Sequence, residues 1–158
     1  TDKQFGKPYK KVQESASERL RSKVFEVDPD IIDRGTRAHA RTQNSLANFL
    51  ISHGISPLSP NEHEPPFDLA WKRGETIFVA EIKSLTKSNE DKQLRMALGQ
   101  ILHYRHLLLP KWPKVRAVIA TERRPSNDCW PALCASHKVI LVWPGAYDEA
   151  LITNAKKG

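Results

Sequence analysis

The chain is poor in the residues that several protein classes require. Its 158 residues include only two cysteines, Cys129 and Cys134, so a disulfide framework is excluded and we expect a reduced, cytoplasmic protein. No apolar run approaches the roughly 20 residues of a membrane-spanning helix. The polar, basic first residues predict no secretory signal, and because the chain begins at Thr1 we expect a trimmed piece or excised domain of a longer protein.

The few cysteines leave two interpretations open. With His137 they form the pattern C-x4-C-x2-H, which could be part of a zinc site, although no fourth ligand follows nearby. Trp130 and Leu133 favour instead a small packed helix with two half-buried thiols. The chain also lacks a G-x-S-x-G elbow, a Walker loop and a glycine-rich dinucleotide fingerprint, which argues against those chemistries.

Acidic residues are too few to balance the basic ones. The 25 Lys and Arg residues against 18 Asp and Glu give a formal net charge of +7. A basic surface favours a polyanionic partner, because contacts with phosphates release counterions. A merely solvated basic surface is the alternative, and an anionic membrane is disfavoured because no strongly amphipathic basic helix is evident.

The apolar pattern predicts alternating helices and strands. We expect helices at 36–53, 89–109 and 128–136, and strands at 67–71, 76–85, 115–121 and 139–143. A further short helix could cover 15–25, Asp28-Pro29 is typical of a helix start, and a short strand could lie in the proline-rich connection 57–66. The pattern predicts a three-layer α/β domain over 35–158, preceded by a basic N-terminal arm or helix over 1–34.

The strand predicted at 76–85 carries two charges in an otherwise apolar segment. Apolar residues on both faces, up to Glu81, are typical of a central strand covered on both sides. Glu81 and Lys83 are two positions apart and therefore project from the same face. Because burying an unpaired charge costs several kcal/mol, the two residues form either a structural ion pair or a chemical site.

The hairpin before this strand favours a chemical site. If residues 74–75 form a two-residue turn, Arg73 pairs with Thr76, and Asp68 then falls opposite Glu81. Directly opposed residues have Cβ atoms about 4.5–5.5 Å apart. Two carboxylates at that separation repel each other unless a proton or a cation lies between them. A shared divalent metal would neutralise both, and hard oxygen ligands suit Mg²⁺ or Mn²⁺.

Three motifs in this region resemble those of a known nuclease superfamily. Residues 66–68 are Pro-Phe-Asp and residues 80–83 are Ala-Glu-Ile-Lys, which resembles the PD-(D/E)xK motif of restriction-endonuclease-like nucleases, with Phe67 inserted. Residues 100–104 match the Q-x3-Y signature of the RecB-like branch. Residues 35–39 are similar to the G-x3-H element that opens the first helix of that branch. Order and spacing agree from residue 35 to residue 104.

The resemblance implies a three-layer restriction-endonuclease-like core with a mixed central β-sheet flanked by helices. It also implies hydrolysis of phosphodiester bonds, in DNA rather than RNA, with Mg²⁺ or Mn²⁺. Asp68 and Glu81 would be metal ligands, with the Ile82 carbonyl as a third and His39 as an additional one. Lys83 would position or activate the attacking water and stabilise the transition state. The iron–sulfur relatives use four cysteines, so no cluster is expected here.

Two parts of this site keep a structural alternative. His39 lies on the inward stripe of the first helix, where it is either a metal ligand or a satisfied core histidine. Gln100 and Tyr104, four positions apart, would by the resemblance position the water or the nucleic-acid strand. With Gln93 they could instead form a polar seam that caps the core.

The predicted partner is DNA, with RNA not excluded, and no membrane. A homodimer or a partner that supplies specificity would suit a small catalytic domain. The alternative function is a non-catalytic module that binds nucleic acid or protein. The plausible contacts with the nucleic-acid backbone are Lys87, Lys92, Arg95, Arg105, Arg123 and Arg124. Trp112, Trp130 and Trp143 could stack on bases, although buried packing is expected for each.

Overall fold

A computed structural model describes residues 4–14 and 29–154. The strands are β1 Lys7–Pro8, β2 Leu58–Ser59, β3 Leu69–Arg73, β4 Thr76–Lys83, β5 Val115–Thr121 and β6 Val139–Val142. The helices are α1 Pro29–Arg34, α2 Arg37–Ser52, α3 Glu90–Leu108 and α4 Cys129–Ser136, and a π-helical turn covers Asp148–Thr153. The short helix predicted over 15–25 lies outside the described residues. Within the described ranges no helix is both long and apolar enough to cross a bilayer.

All six strands form one mixed sheet in the order β1-β2-β3-β4-β5-β6. Neighbours from β1 to β4 pair antiparallel, whereas β4, β5 and β6 are parallel. The predicted hairpin register is confirmed, with Arg73 opposite Thr76. Gly74, at φ +59°, takes the left-handed conformation that the first position of such a turn requires. Parallel strands need long crossovers, and α3 and α4 provide them.

Side chains of β4 alternate between two cores, one on each face of the sheet. Ile77 and Val79 pack in the core formed with α3 and α4. Phe78, Ala80 and Ile82 pack in the opposite core, formed with α2 and the π-helical turn. The predicted α/β fold with a mixed sheet is therefore confirmed, and helices on both faces are compatible with three layers.

Most predicted element bounds agree with the structure to within one or two residues. Thr36 caps α2, because its Oγ1 accepts the backbone N–H of His39 at 3.1 Å. The predicted strand over 67–71 begins two residues too early. The N–H of Phe67 donates to the Pro65 carbonyl at 2.8 Å in a tight turn, the Asp68 N–H makes the first bond to β4 at the Ala80 carbonyl, and β3 begins at Leu69. The predicted strand over 76–85 ends too late, because side-chain carboxylates accept the backbone N–H groups at 84 and 85.

The described parts of the predicted N-terminal arm belong to the same fold. β1, which the sequence does not predict, adds the outermost strand beside β2. Phe5 is buried and its ring lies 5.8 Å from that of Phe67 and 5.5 Å from that of Trp112. The helix start predicted at Pro29 is confirmed as the first residue of α1. α1 lies against the carboxyl end of β4, where the charged residues gather.

Candidate active site

The predicted residues Asp68, Glu81 and Lys83 converge at the carboxyl end of β4. Glu81 and Lys83 are 0% exposed and project towards the same face as Ile77 and Val79, which is covered by α3. Asp68 immediately precedes β3, and the β3–β4 register places it opposite Glu81. In open α/β sheets this end of the parallel strands is where ligands usually bind.

Asp68 is held as a carboxylate by neighbours on β4 and α2. Its Oδ2 accepts the Ile82 N–H at 2.8 Å and lies 3.3 Å from His39 Nε2, and its carbonyl accepts Gln43 Nε2 at 3.1 Å. Burial alone would raise the pKa of Asp68, but His39, Arg34 and the Ile82 N–H together hold it below its ordinary value. In an extended strand the N–H and C=O of one residue point to the same side, so the Ile82 carbonyl points to the same side of β4 as its N–H.

Glu81 has one oxygen in use and one without a partner. Oε1 lies 3.2 Å from Lys83 Nζ and 3.4 Å from Arg34 Nη2. Oε2 is buried and, among the described residues, has no hydrogen-bond partner. Burial, followed by the charge of Asp68, raises the pKa of Glu81 to about 8 despite the nearby cations Lys83 and Arg34. Glu81 therefore holds its proton more tightly than an exposed glutamic acid does.

Lys83 is an ammonium ion in this environment. Its Nζ contacts Asp30 Oδ1, lies 3.2 Å from Glu81 Oε1 and is 4.0 Å from Met96 Sδ. Burial would lower its pKa, but Glu81 and Asp30 more than compensate and raise the pKa above its ordinary value. A charged lysine donates hydrogen bonds and stabilises negative charge, and it does not act as a base.

Helix α1 supplies site residues that the sequence does not reveal. Arg34 Nε lies 3.2 Å from Asp30 Oδ2 and 3.5 Å from Asp68 Oδ1. Its Nη2 lies 3.4 Å from Glu81 Oε1. The Arg34 guanidinium therefore contacts the carboxylates of Asp68 and Glu81 as well as that of Asp30. Asp33 hydrogen bonds with the hydroxyl and backbone N–H of Ser84. The only sequence signal here is the helix start at Pro29, which indicates a helix without indicating what it contacts.

The predicted residues of α3 cover the site from the other side. Tyr104 is buried, and burial, then the charge of Glu81, raises its pKa to about 12. Gln100 lies one helical turn earlier, and its Oε1 is buried without a hydrogen-bond partner in the described ranges. Gln93 Nε2 donates to the Ser84 carbonyl at 3.2 Å. We call Gln93, Gln100 and Tyr104 the α3 stripe. The α3 stripe combines structural contacts with polar atoms that can take a ligand.

Three of the predicted nucleic-acid contacts form an exposed basic rim beside the site. Lys87 lies in the connection between β4 and α3, and Lys92 and Arg95 lie in the first two turns of α3. All three side chains belong to exposed residues at the end of the sheet that carries Lys83. We call these three residues the basic rim.

The other three predicted contacts already have partners within the fold. Arg123 lies 2.7 Å from Glu90, and Arg124 lies 3.1 Å from Asp128 and 5.8 Å from the Trp143 ring. Arg105 donates to the carbonyls that precede β6, at the opposite end of the sheet from Lys83. Arg105 is therefore placed as a structural residue.

The aromatic and cysteine residues pack as structural groups. Trp130 is buried and its indole N–H donates to Asp91 at 2.8 Å. Trp112 and Trp143 are half-buried. The expectation of two half-buried thiols is wrong, because Cys129 is exposed and Cys134 is buried. Burial raises the pKa of Cys134 to about 11, which makes it a poor nucleophile.

The donor atoms suit a divalent cation, but an arginine lies among them. The carboxylates of Asp68 and Glu81 supply the hard oxygen donors that Mg²⁺ or Mn²⁺ takes, with Glu81 Oε2 uncommitted, and His39 adds an imidazole nitrogen. As they stand, residues 4–14 and 29–154 contain no group of three or more His, Cys, Asp and Glu side chains arranged to hold a metal ion. Arg34 supplies the positive charge at Asp68 and Glu81 instead. Within the described residues these carboxylates are therefore paired with Arg34.

No protein-family model, curated protein or solved structure matches this chain. Function must therefore be inferred from the geometry and chemistry of the site.

Proposed function

We propose that the chain is a metal-dependent nuclease of the PD-(D/E)xK superfamily, with a restriction-endonuclease-like fold, that hydrolyses phosphodiester bonds in DNA. The observation that carries the proposal is the meeting of Asp68, Glu81 and Lys83 at the carboxyl end of β4. A purely structural ion pair would not require a second carboxylate opposite Glu81. A purely structural Glu81–Lys83 ion pair would also leave the buried Glu81 Oε2 without a role.

The residues divide the chemistry among them. Asp68, Glu81, the Ile82 carbonyl and His39 would hold Mg²⁺ or Mn²⁺, which when bound supplies Lewis-acid polarisation of the phosphate and charge neutralisation. Lys83, kept as an ammonium ion, donates to a phosphoryl oxygen or to the attacking water and stabilises the charge that develops in the transition state.

The α3 stripe and the basic rim would bind and orient the strand. Tyr104 keeps its hydroxyl proton and can donate it in a hydrogen bond, and Gln100 Oε1 can accept one from water. Lys87, Lys92 and Arg95 would contact backbone phosphates, in keeping with the net charge of +7. DNA is proposed over RNA, in a cytoplasmic setting of restriction, defence or repair, and cutting of both strands would favour a dimer or a partner domain.

A second candidate function has its own supporting observation. In this structure Arg34 already lies against both Asp68 and Glu81, and Asp30 already pairs with Lys83. A site whose charges are satisfied internally is what a non-catalytic module for nucleic acid or protein would retain. This function requires no metal, so millimolar Mg²⁺ would not stabilise the fold.

The test is cleavage of supercoiled plasmid, linear DNA and RNA with Mg²⁺, Mn²⁺ or EDTA. Wild type is compared with Lys83→Ala and with Lys114→Ala, whose side chain is 62% exposed at the start of β5, away from the site. We expect metal-dependent cutting that falls by roughly 100-fold or more in Lys83→Ala, as for loss of a transition-state donor, and stays unchanged in Lys114→Ala.

The products identify the kind of nuclease, and the absence of products decides between the nuclease and the binding module. Nicked or linear plasmid identifies an endonuclease, and loss of linear DNA from its ends identifies an exonuclease. If wild type cuts no DNA or RNA with either metal, and both wild type and Lys83→Ala bind DNA equally, the nuclease proposal is wrong and the binding module replaces it.

A further inference from the structure

Helix α1 has its charged residues inside and its apolar residues outside. Asp30 and Asp33 are 8% and 4% exposed, whereas Ile31 and Ile32 are 51% and 52% exposed. Hydrophobic burial would favour the reverse orientation, because the apolar face of a surface helix normally faces the core. Among the residues that the structure describes, α1 is therefore held in place by ion pairs and hydrogen bonds rather than by apolar packing.

The charges of α1 match the site residue by residue. Arg34 places a cation on Asp68 and Glu81, the two carboxylates that a divalent cation would join. Asp30 places an anion on Lys83, the ammonium that a phosphate would contact. One short helix thus presents both charges that a metal and a nucleic-acid phosphate would bring.

The Arg34 guanidinium is only partly fixed by directed hydrogen bonds: Nη2 donates to the Pro66 carbonyl at 3.2 Å and to Glu81 Oε1 at 3.4 Å. Its Nε is buried without an aligned hydrogen-bond acceptor among the described residues, although carboxylate oxygens lie 3.2 and 3.5 Å away. The Arg34 side chain remains 33% exposed. A cavity of about 350 Å³ lies beside α1 and is lined by Pro29, Ile32 and Asp33 of α1 and by residues of the connection between β4 and α3. Such a helix can leave its place without opening a packed apolar core.

We infer that α1 is an internal plug: Arg34 occupies the place of the divalent cation and Asp30 occupies the place of the phosphate, and both leave together when the site is loaded. This inference rests on the proposed nuclease function. Only Gly35 and Thr36 separate α1 from α2, so α1 can turn away while the Thr36 cap and His39 stay fixed. The plug keeps the site closed until metal and polyanion are both present.

The plug has a thermodynamic consequence that can be measured. A cation and α1 compete for Asp68 and Glu81. A change that weakens the binding of α1 to these carboxylates must therefore strengthen the binding of the cation. Couplings of this kind change affinity by about 5–150-fold. Removal of the Arg34 charge should therefore tighten Mn²⁺ binding within that range.

The experiment is titration of the chain with Mn²⁺, followed by calorimetry, at constant pH and salt. Wild type is compared with Arg34→Gln, with the charge-preserving Arg34→Lys, and with the control Arg41→Gln, which removes an equal charge from an exposed position on α2. We expect tighter binding in Arg34→Gln by about tenfold or more, with Arg34→Lys and Arg41→Gln remaining close to wild type.

A second measurement needs no variant and covers the case in which Arg34→Gln does not fold. Amide hydrogen exchange of wild type is followed over residues 30–34 with and without Mn²⁺ and a short DNA strand. We expect protection of these amides to fall when both are added, while the amides of α2 keep theirs.

The outcomes separate the plug from the nuclease proposal. If wild type and Arg34→Gln bind Mn²⁺ equally, or Arg34→Gln binds it more weakly, the plug is wrong and the metal site stands. If α1 becomes more protected on loading, the plug is likewise wrong. If none of the four proteins binds Mn²⁺, the metal-dependent function fails and the plug fails with it.

Discussion

Replacement of Glu81 by Gln should change how the stability of the metal-free protein depends on pH. Glu81 is 0% exposed, and burial, then the charge of Asp68, raises its pKa from 4.5 to about 8. The folded protein therefore binds the proton of Glu81 more tightly than the unfolded chain does. The stabilising contribution of that proton is complete below pH 4.5 and is lost as pH rises through about 8.

The size of the effect follows from the interval between the two pKa values. Each pH unit in that interval corresponds to about 1.4 kcal/mol, so full ionisation of Glu81 would remove at most roughly 5 kcal/mol of stability. The protonation of Glu81 is coupled to that of Asp68, which shares this free energy. We therefore expect the free energy of unfolding of wild type to fall by roughly 2–5 kcal/mol between pH 5 and pH 9 through this group.

The assay is urea unfolding in EDTA at pH 5, 7 and 9. Gln cannot ionise, so Glu81→Gln should match wild type at pH 5 and exceed it by the same roughly 2–5 kcal/mol at pH 9. The control is Glu75→Gln, which removes a carboxylate that is 85% exposed. Parallel curves for wild type and Glu81→Gln across the range would refute the reasoning, since Glu81 would then be ionised throughout.

Three further predictions concern the frame of the site and its loading. Thr36→Ala, which removes the cap that accepts the His39 N–H, should lower the free energy of unfolding by about 1 kcal/mol; no loss in urea unfolding would mean that this cap is dispensable. Leu46→Ala, in the α2 core at 0% exposure, should cost about 2–5 kcal/mol; a loss below 1 kcal/mol would show that the core relaxes around the change. Millimolar Mn²⁺ should raise the Tm of wild type but not that of Asp68→Ala; equal shifts would place the cation elsewhere.

The hairpin and the main helices could be predicted because their signals are local. Gly74 favours a two-residue turn, and the turn fixes the register that sets Asp68 opposite Glu81. Thr36 and Gly54 bracket α2 for similar reasons, since caps act within a few residues. The pairing of Asp68 with Glu81 therefore follows from the turn between β3 and β4, which is only a few residues from each.

The role of α1 could not be predicted because its signals are distant and contrary to the usual pattern. Ile31 and Ile32 suggest an apolar inner face, whereas the structure turns Asp30 and Asp33 inward. The partners of these carboxylates, Lys83 and Ser84, lie about 50 positions further along the chain. Only the tertiary arrangement reveals that the helix is held by charge.

The charge balance of the site explains why both states of α1 can exist. With α1 in place, Asp30, Asp68 and Glu81 face Lys83 and Arg34, three carboxylates against two cations. That excess of one negative charge is relieved by a proton on Glu81, in agreement with its raised pKa. With α1 withdrawn, Asp68 and Glu81 face Lys83 alone. A divalent cation and one phosphodiester anion then bring the sum to zero, so a loaded site needs neither the plug nor the proton.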